Sequence, residues 1–277
     1  MTVAGDEGAR IMRQWTIEGP EHLTFGPVTA LDVRIVAGRL AVLASEGLPT
    51  LEVSSIDSAP LIVTYDEDSG QLGVAYKDLT WEGVLSWLRT ARRESVVTLT
   101  VPKSCTVNAG VVSASAVVAG FENVTRVKSA AGDIVLDGVS GEVTATTVSG
   151  GVESRAMAGD LSFQSVSGDL TVAGGVPRRL RAHTVSGRIT ADLELRPTGH
   201  VTFNSLSGDI LVRLPEDVET DVSIRSTSGR LVSTFDKLSD ANRPGSKSLS
   251  GRLGGGMASL SAITVSGDVT LLKGENA

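Results

Sequence analysis

One short phrase returns along the second half of the chain and restricts what the chain can fold into more than any other feature. It reads Ser165-Val166-Ser167-Gly168-Asp169-Leu170, Thr184-Val185-Ser186-Gly187-Arg188-Ile189, Ser205-Leu206-Ser207-Gly208-Asp209-Ile210, Ser226-Thr227-Ser228-Gly229-Arg230-Leu231 and Thr264-Val265-Ser266-Gly267-Asp268-Val269, with Thr147-Val148-Ser149-Gly150-Gly151-Val152 at its head. Repetition at fixed spacing signals stacked units that share one core. Gly132, Gly141, Gly150, Gly159 and Gly168 stand nine residues apart, and the interval lengthens to nineteen and twenty-one at Gly187, Gly208 and Gly229. Nine residues are then half a coil. Two short strands and two bends make a coil of about eighteen to twenty-one residues, the size of a narrow β-solenoid.

Ser-Gly suits each bend, because glycine takes positive φ without a Cβ clash and the neighbouring Ser or Asp can bond backbone amides. The residue two after the glycine is apolar in Val152, Leu170, Ile189, Ile210, Leu231 and Val269; the residue two before it is Val148, Val166, Val185, Leu206 or Val265. Both columns are expected to point inward and stack. Upstream, Leu161 and Phe163, Val201 and Phe203, and Val222 and Ile224 alternate at strand period. That alternation changes phase between Phe163 and Val166, which predicts a bulge before each Ser-Gly.

The fold class expected is therefore all-β: a β-solenoid of short repeated coils over 106–277, preceded by an irregular N-terminal antiparallel β layer over 14–105 and a disordered tail over 1–13. The layer is read from alternating runs such as Leu31-Val33-Ile35, Leu61-Val63-Tyr65 and Leu72-Val74-Tyr76, with a hairpin connection at Asp66-Glu67-Asp68-Ser69-Gly70. It is expected to continue into the solenoid as one elongated domain. Within it, Trp81, Val84, Leu85 and Leu88 fall on one helical face and Arg89, Arg92 and Arg93 follow, so one short amphipathic helix is expected near 81–92. Two readings of it stand: a cap packed on the β structure, or peripheral contact with an anionic membrane surface.

Composition excludes some classes. With 31 glycines, 4% aromatics and a net charge of -7, the chain is a poor nucleic-acid binder by charge, and no nucleic-acid partner is expected. Cys105 stands alone, so no internal disulfide forms. No apolar signal region or long apolar span is visible, and the expected location is cytoplasmic.

Chemistry is sparse. No G-x-S-x-G elbow, phosphate loop or H-E-x-x-H occurs, and His22, His183 and His200 are scattered. Asp133, Asp160, Asp169, Asp209 and Asp268 follow their glycines, but Arg188 and Arg230 share that column, which speaks against repeated cation sites. No catalytic, cofactor or metal residue is assigned. The polar column Gln164, His183, Asn204 and Arg225, four before each glycine, and the basic run Arg178, Arg179 and Arg181 form the candidate interaction surface. A carbohydrate-cleaving groove on that column would lack carboxylate acids and bases. From Asp236 to Gly256 the rhythm is lost, which reads as an exposed excursion or a decayed coil. After Val269-Thr270-Leu271-Leu272 too little chain remains to cap the last coil, so Val269 and Leu271 are expected at an open edge that self-associates.

These tandem phrases, preceded by Val97-Thr98-Leu99-Thr100-Val101-Pro102 and closed by Ile263-Thr264-Val265-Ser266-Gly267-Asp268-Val269, resemble the bacterial β-strand-repeat family called Toastrack over residues 15 to 274. The resemblance implies a β-solenoid, no known catalytic residues or cofactor, and association of some relatives with envelope-stress systems. The function expected is a non-catalytic protein-interaction scaffold; a surface adhesin and a carbohydrate-active solenoid enzyme are the alternatives.

Overall fold

The repeated phrase winds the chain into two facing, mainly parallel sheets. The computed structural model describes residues 12–57, 59–76, 93–243 and 245–274. In the first sheet Glu142–Thr147, Ala158–Ser165, the second half of Leu170–Thr184, and His200–Ser205 pair rung on rung. In the second, Val152–Arg155, the first half of Leu170–Thr184, Ile189–Leu193 and Ile210–Pro215 do the same. Each Ser-Gly bend carries the chain from the first sheet to the second.

Strand alternation then decides the core. Ala145, Phe163, Ala182, Phe203, Ala262 and Ile224 form one column in register, and all are buried. Each phenyl ring thus lies between alanines of the adjoining coils, which keeps a narrow two-layer interior filled without overpacking. Val152, Leu170, Ile189, Ile210 and Val269 face them from the second sheet, also buried, with Leu231 partly so.

The column two before each glycine does not point inward. Val148, Val166, Val185, Leu206 and Val265 are 53%, 51%, 45%, 52% and 44% exposed. The inward place belongs to the hydroxyl one residue earlier. Thr184, Ser205, Ser226 and Thr264 are buried, and with Ser165 their oxygens accept the glycine amides of Gly187, Gly208, Gly229, Gly267 and Gly168 at 2.7–3.0 Å. The alternation from Phe163 therefore runs unbroken through Ser165, and no bulge is needed: register is regular through these strand ends.

Glycine is required at the bends for a different reason from the one expected. Gly150, Gly168, Gly187, Gly208, Gly229 and Gly267 are not among the positive-φ residues. Instead, a Cβ on Gly208 would collide with the Gly187 carbonyl oxygen, one on Gly267 with that of Gly208, and one on Gly229 with that of Gly267. The bends stack so closely that backbone meets backbone. The following aspartates extend the stacking: Asp133 accepts the Gly151 amide, Asp169 that of Arg188, Asp209 that of Asp268, and Asp268 that of Arg230, at 2.7–2.9 Å.

At the N-terminal end, Met12–Ile17 pairs antiparallel with Leu61–Asp66, and Glu21–Thr24 with Thr50–Ile56. Asp66 closes the expected hairpin, its carboxylate accepting the amides of Asp68 and Ser69. Beneath this antiparallel layer the parallel winding resumes. Ala30–Ile35 lies between Gln71–Tyr76 and Thr106–Val111, and Ala37–Ala44 between Glu94–Val101 and Ser115–Ala119. The helix expected near 81–92 lies outside the described residues.

The C-terminal end corrects the expectation of an open last coil. Ala258–Thr264 is inserted between His200–Ser205 and Thr220–Ser226, and Val269–Gly274 between Ile210–Pro215 and Leu231–Ser233. Val269 and Leu271, 1% and 0% exposed, are core residues paired on both sides. The stretch read as an excursion is a hairpin, Ser239–Arg243 with Ser246–Leu253, that adds antiparallel to Thr220–Ser226.

Candidate binding face

The outer face of the first sheet gathers most of the polar residues singled out in the sequence. Alternation sends every second side chain outward, and the ladder register aligns them. One row runs Lys128, Thr146, Gln164, His183, Asn204, Ile263, Arg225; the row beside it runs Arg126, Thr144, Ser162, Arg181, Thr202, Ser261, Ser223. Gln164, His183 and Asn204 are thus consecutive rungs, with His183 Nδ1 3.2 Å from Asn204 Nδ2. Arg225 is separated from them by Ile263, which the inserted final coil supplies.

The basic run divides. Arg181 stands outward in the centre of the face, whereas Arg178 makes a bidentate pair with Asp160 at 2.7 and 2.9 Å and Arg179 approaches the same carboxylate at 3.4 Å. The hydrogen bond from Arg178 holds the Asp160 carboxyl below the usual carboxylate range. At the other end of the molecule Arg93 lies over the Tyr76 ring, 5.6 Å from its centroid; Trp81, Leu85, Leu88 and Arg92 lie outside the described residues.

Along one border of this face runs a feature the sequence reading missed. The exposed Val148, Val166, Val185, Leu206 and Val265 stack on successive coils as an aliphatic ridge. The serines that follow them, Ser149, Ser167, Ser186, Ser207 and Ser266, spend their hydroxyls on carbonyls of the preceding coil at 3.2–3.4 Å. Unbroken alternation from the phenylalanines was the available signal: it places these aliphatics outside.

Reactive chemistry is thin here. His200 Nδ1 lies 2.7 Å from Ser259 Oγ, but the pair is exposed on a flat sheet, and among the described residues no carboxylate bonds the other ring nitrogen to orient it. A groove of about 800 Å³ by the second sheet is lined by Asp192, Glu194, Asp217, Glu219, Arg213 and Lys273, and Arg213 there is already paired with Asp192. Cys105 is buried, and burial pushes its thiol up to about 11. No group of three or more His, Cys, Asp or Glu placed to hold a metal occurs among the described residues.

Fold and face together define a two-sheet β-solenoid that presents an extended, flat outer surface. The chain belongs to the Toastrack DUF4097 family, whose sequence model matches residues 32–272. A comparison with curated proteins returned no match. Among solved structures, a "putative adhesin" of Bacteroides fragilis is similar at 11% identity, covering 96% of this chain and 97% of its own, with a TM-score of 0.43. A "putative lipid binding protein" of Parabacteroides distasonis is similar at 14% identity over 93% and 97%, TM-score 0.42. A "putative adhesin" of Parabacteroides merdae is similar at 11% identity over 96% of each chain, TM-score 0.37. Membership in the family rests on the sequence match.

Proposed function

We propose that the protein is a non-catalytic interaction scaffold that holds a protein partner along the side formed by the aliphatic ridge and the row Gln164, His183 and Asn204. The ridge carries this reading. Aliphatic side chains repeated half-exposed on adjoining coils form a contiguous apolar strip, and such strips on otherwise polar surfaces mark contact sites. Coil stacking holds the strip rigid, so little ordering is required on binding. A bacterial envelope-stress system is the cellular setting this reading adopts from the family resemblance.

The test is affinity capture from native lysate, before and after cell-wall stress, with the wild-type chain beside Val185→Ser/Leu206→Ser. Both positions are exposed, so the double variant keeps its fold. A partner held by wild type and lost by the variant supports the scaffold reading; identical capture by both overturns it.

A further inference from the structure

We infer that the outer face of the first sheet binds a linear acidic polysaccharide through Arg126, Arg181 and Arg225, with the intervening hydroxyl and amide side chains contacting its sugars. The inference rests on the proposed use of this side for binding, but its arginines are no part of that reading and its partner is of a different class.

Pairing of arginines is the first observation. Several outward arginines elsewhere on the solenoid are tied to carboxylates: Arg155 to Glu153 at 2.7 Å, Arg178 to Asp160 at 2.7 Å, Arg230 to Asp268 at 2.6 Å, Arg252 to Asp221 at 2.9 Å, and Arg213 to Asp192. Arg39, Arg188, Arg196 and Arg243 are exposed with no ion pair among the described residues, but they stand scattered rather than in a row on one face. Arg126, Arg181 and Arg225 are exposed and have no ion-pair partner among the described residues. In a chain of net charge -7, the two rows contain no carboxylate between Arg126 and Arg225; the first one met beyond is Asp32, two rungs past Arg126 and paired with Arg34. The carboxylates of this face, Glu142, Asp160 and Asp221, stand in the adjoining row, so the acids are set to one side and the guanidinium groups of the two rows are left unpaired. Such groups match the bidentate geometry of carboxylate and sulfate oxygens.

Spacing is the second. Arg126 to Arg181 is three rungs, and Arg181 to Arg225 three more, so at about 4.8 Å per rung the cations stand roughly 14 Å apart. A compact anion cannot bridge them, whereas an extended polymer can. Between them lie Thr144, Ser162, Thr202, Ser261 and Asn204, which donate and accept hydrogen bonds. A pyranose chain laid across the strands would meet a similar side chain at each rung.

Other extended partners fit less well. The two rows carry one ring, the imidazole of His183, and no succession of aromatic platforms on which bases could stack. The strands beneath are paired on both sides, so no peptide can add to them. Within the rows only Ile263 is aliphatic, which leaves little to insert into lipid.

Binding is measured with polygalacturonate, which offers carboxylates, and dextran sulfate, which offers sulfates, beside neutral dextran and oligothymidylate. At low salt the wild-type protein should bind one or both acidic polymers, and added salt should weaken the complex. The bound polymer identifies the oxyanion. Arg126→Gln/Arg181→Gln/Arg225→Gln should lose roughly tenfold or more in affinity, since the charge-assisted contacts are removed. Val185→Ser/Leu206→Ser should bind as wild type, so the polysaccharide and protein-partner readings fail separately. Melting profiles confirm that each variant is folded, and the three single Arg→Gln variants replace the triple if it is not. The inference is overturned if neither acidic polymer binds, if the arginine variants bind unchanged, if neutral dextran binds equally, or if oligothymidylate binds more tightly with the same arginine dependence.

Discussion

Replacing Ser205 by alanine should cost more than replacing its larger neighbour Leu206. Ser205 is 7% exposed and its Oγ accepts the buried Gly208 amide at 2.7 Å, whereas Leu206 is 52% exposed. Ser205→Ala leaves that amide without its acceptor, a loss of about 1–3 kcal/mol. Leu206→Ala removes atoms already half in water and should stay within about 0.5 kcal/mol. For a chain of this size each kcal/mol moves Tm by roughly 2–4 °C, so Ser205→Ala should melt about 2–12 °C early and Leu206→Ala within about 2 °C of wild type. Gly208→Ala should be worse than either, because its Cβ would strike the Gly187 carbonyl oxygen and could be relieved only by prising two rungs apart. Calorimetry at matched concentration measures all three. If Leu206→Ala proves the more damaging of the first two, the aliphatic column lies inside and the assignment of core and surface is reversed.

Acid should loosen the solenoid. The carboxyls of Asp160 and Asp192 are held below their ordinary range by hydrogen bonds from Arg178 and Arg213, and that of Asp268 by the Arg230 amide and then its guanidinium. Depressed native values mean that the stabilisation is present above the ordinary carboxylate pKa, about 3.9, and is lost as pH falls through the lowered native value. The urea midpoint should therefore drop on acidification, and drop less in Asp160→Asn/Asp268→Asn; parallel drops in variant and wild type would refute the assignment. The Cys105 thiol, buried and pushed up to about 11, should react with a disulfide reagent at mildly alkaline pH far more slowly in the native protein than in urea, and equal rates would contradict its burial.

The architecture was legible because the glycine interval is itself a dimension: nine residues make a strand and a bend. Which side chains fill the core was half legible. Leu170, Ile189 and Ile210 were placed correctly from their distance after the bend, but Val166, Val185 and Leu206 were assigned inward on hydrophobicity alone. Local geometry overrode it. A hydroxyl three residues before the glycine closes the turn by accepting the glycine amide, and once Ser205 or Thr184 points in, the next residue must point out. The face was legible as a polar column, yet its partners across the sheet were not: Arg181 beside Thr202, or Ile263 between Asn204 and Arg225, follow from register between coils far apart in sequence.

That register also explains why the chain end was misread. An open edge at Thr264–Val269 follows only if stacking order follows chain order. In the fold Gly267 stacks between Gly208 and Gly229, and the coil before it in sequence lies outside it in space. The phrase itself held the signal. The final repeat keeps an aliphatic, Val265, where an internal rung needs one to continue the ridge, while the repeat at Ser226–Leu231 carries Thr227 there. Thr227 sits on the outermost coil of the second sheet's turn, next to the short strand Leu231–Ser233 and a polar hairpin rich in Ser, Asp, Asn and Arg. Short, polar and charged strands are how sheets discourage pairing with another chain. The one departure from the aliphatic column therefore marks the true end of the stack, and the ridge stops there because that end is built to remain unpaired.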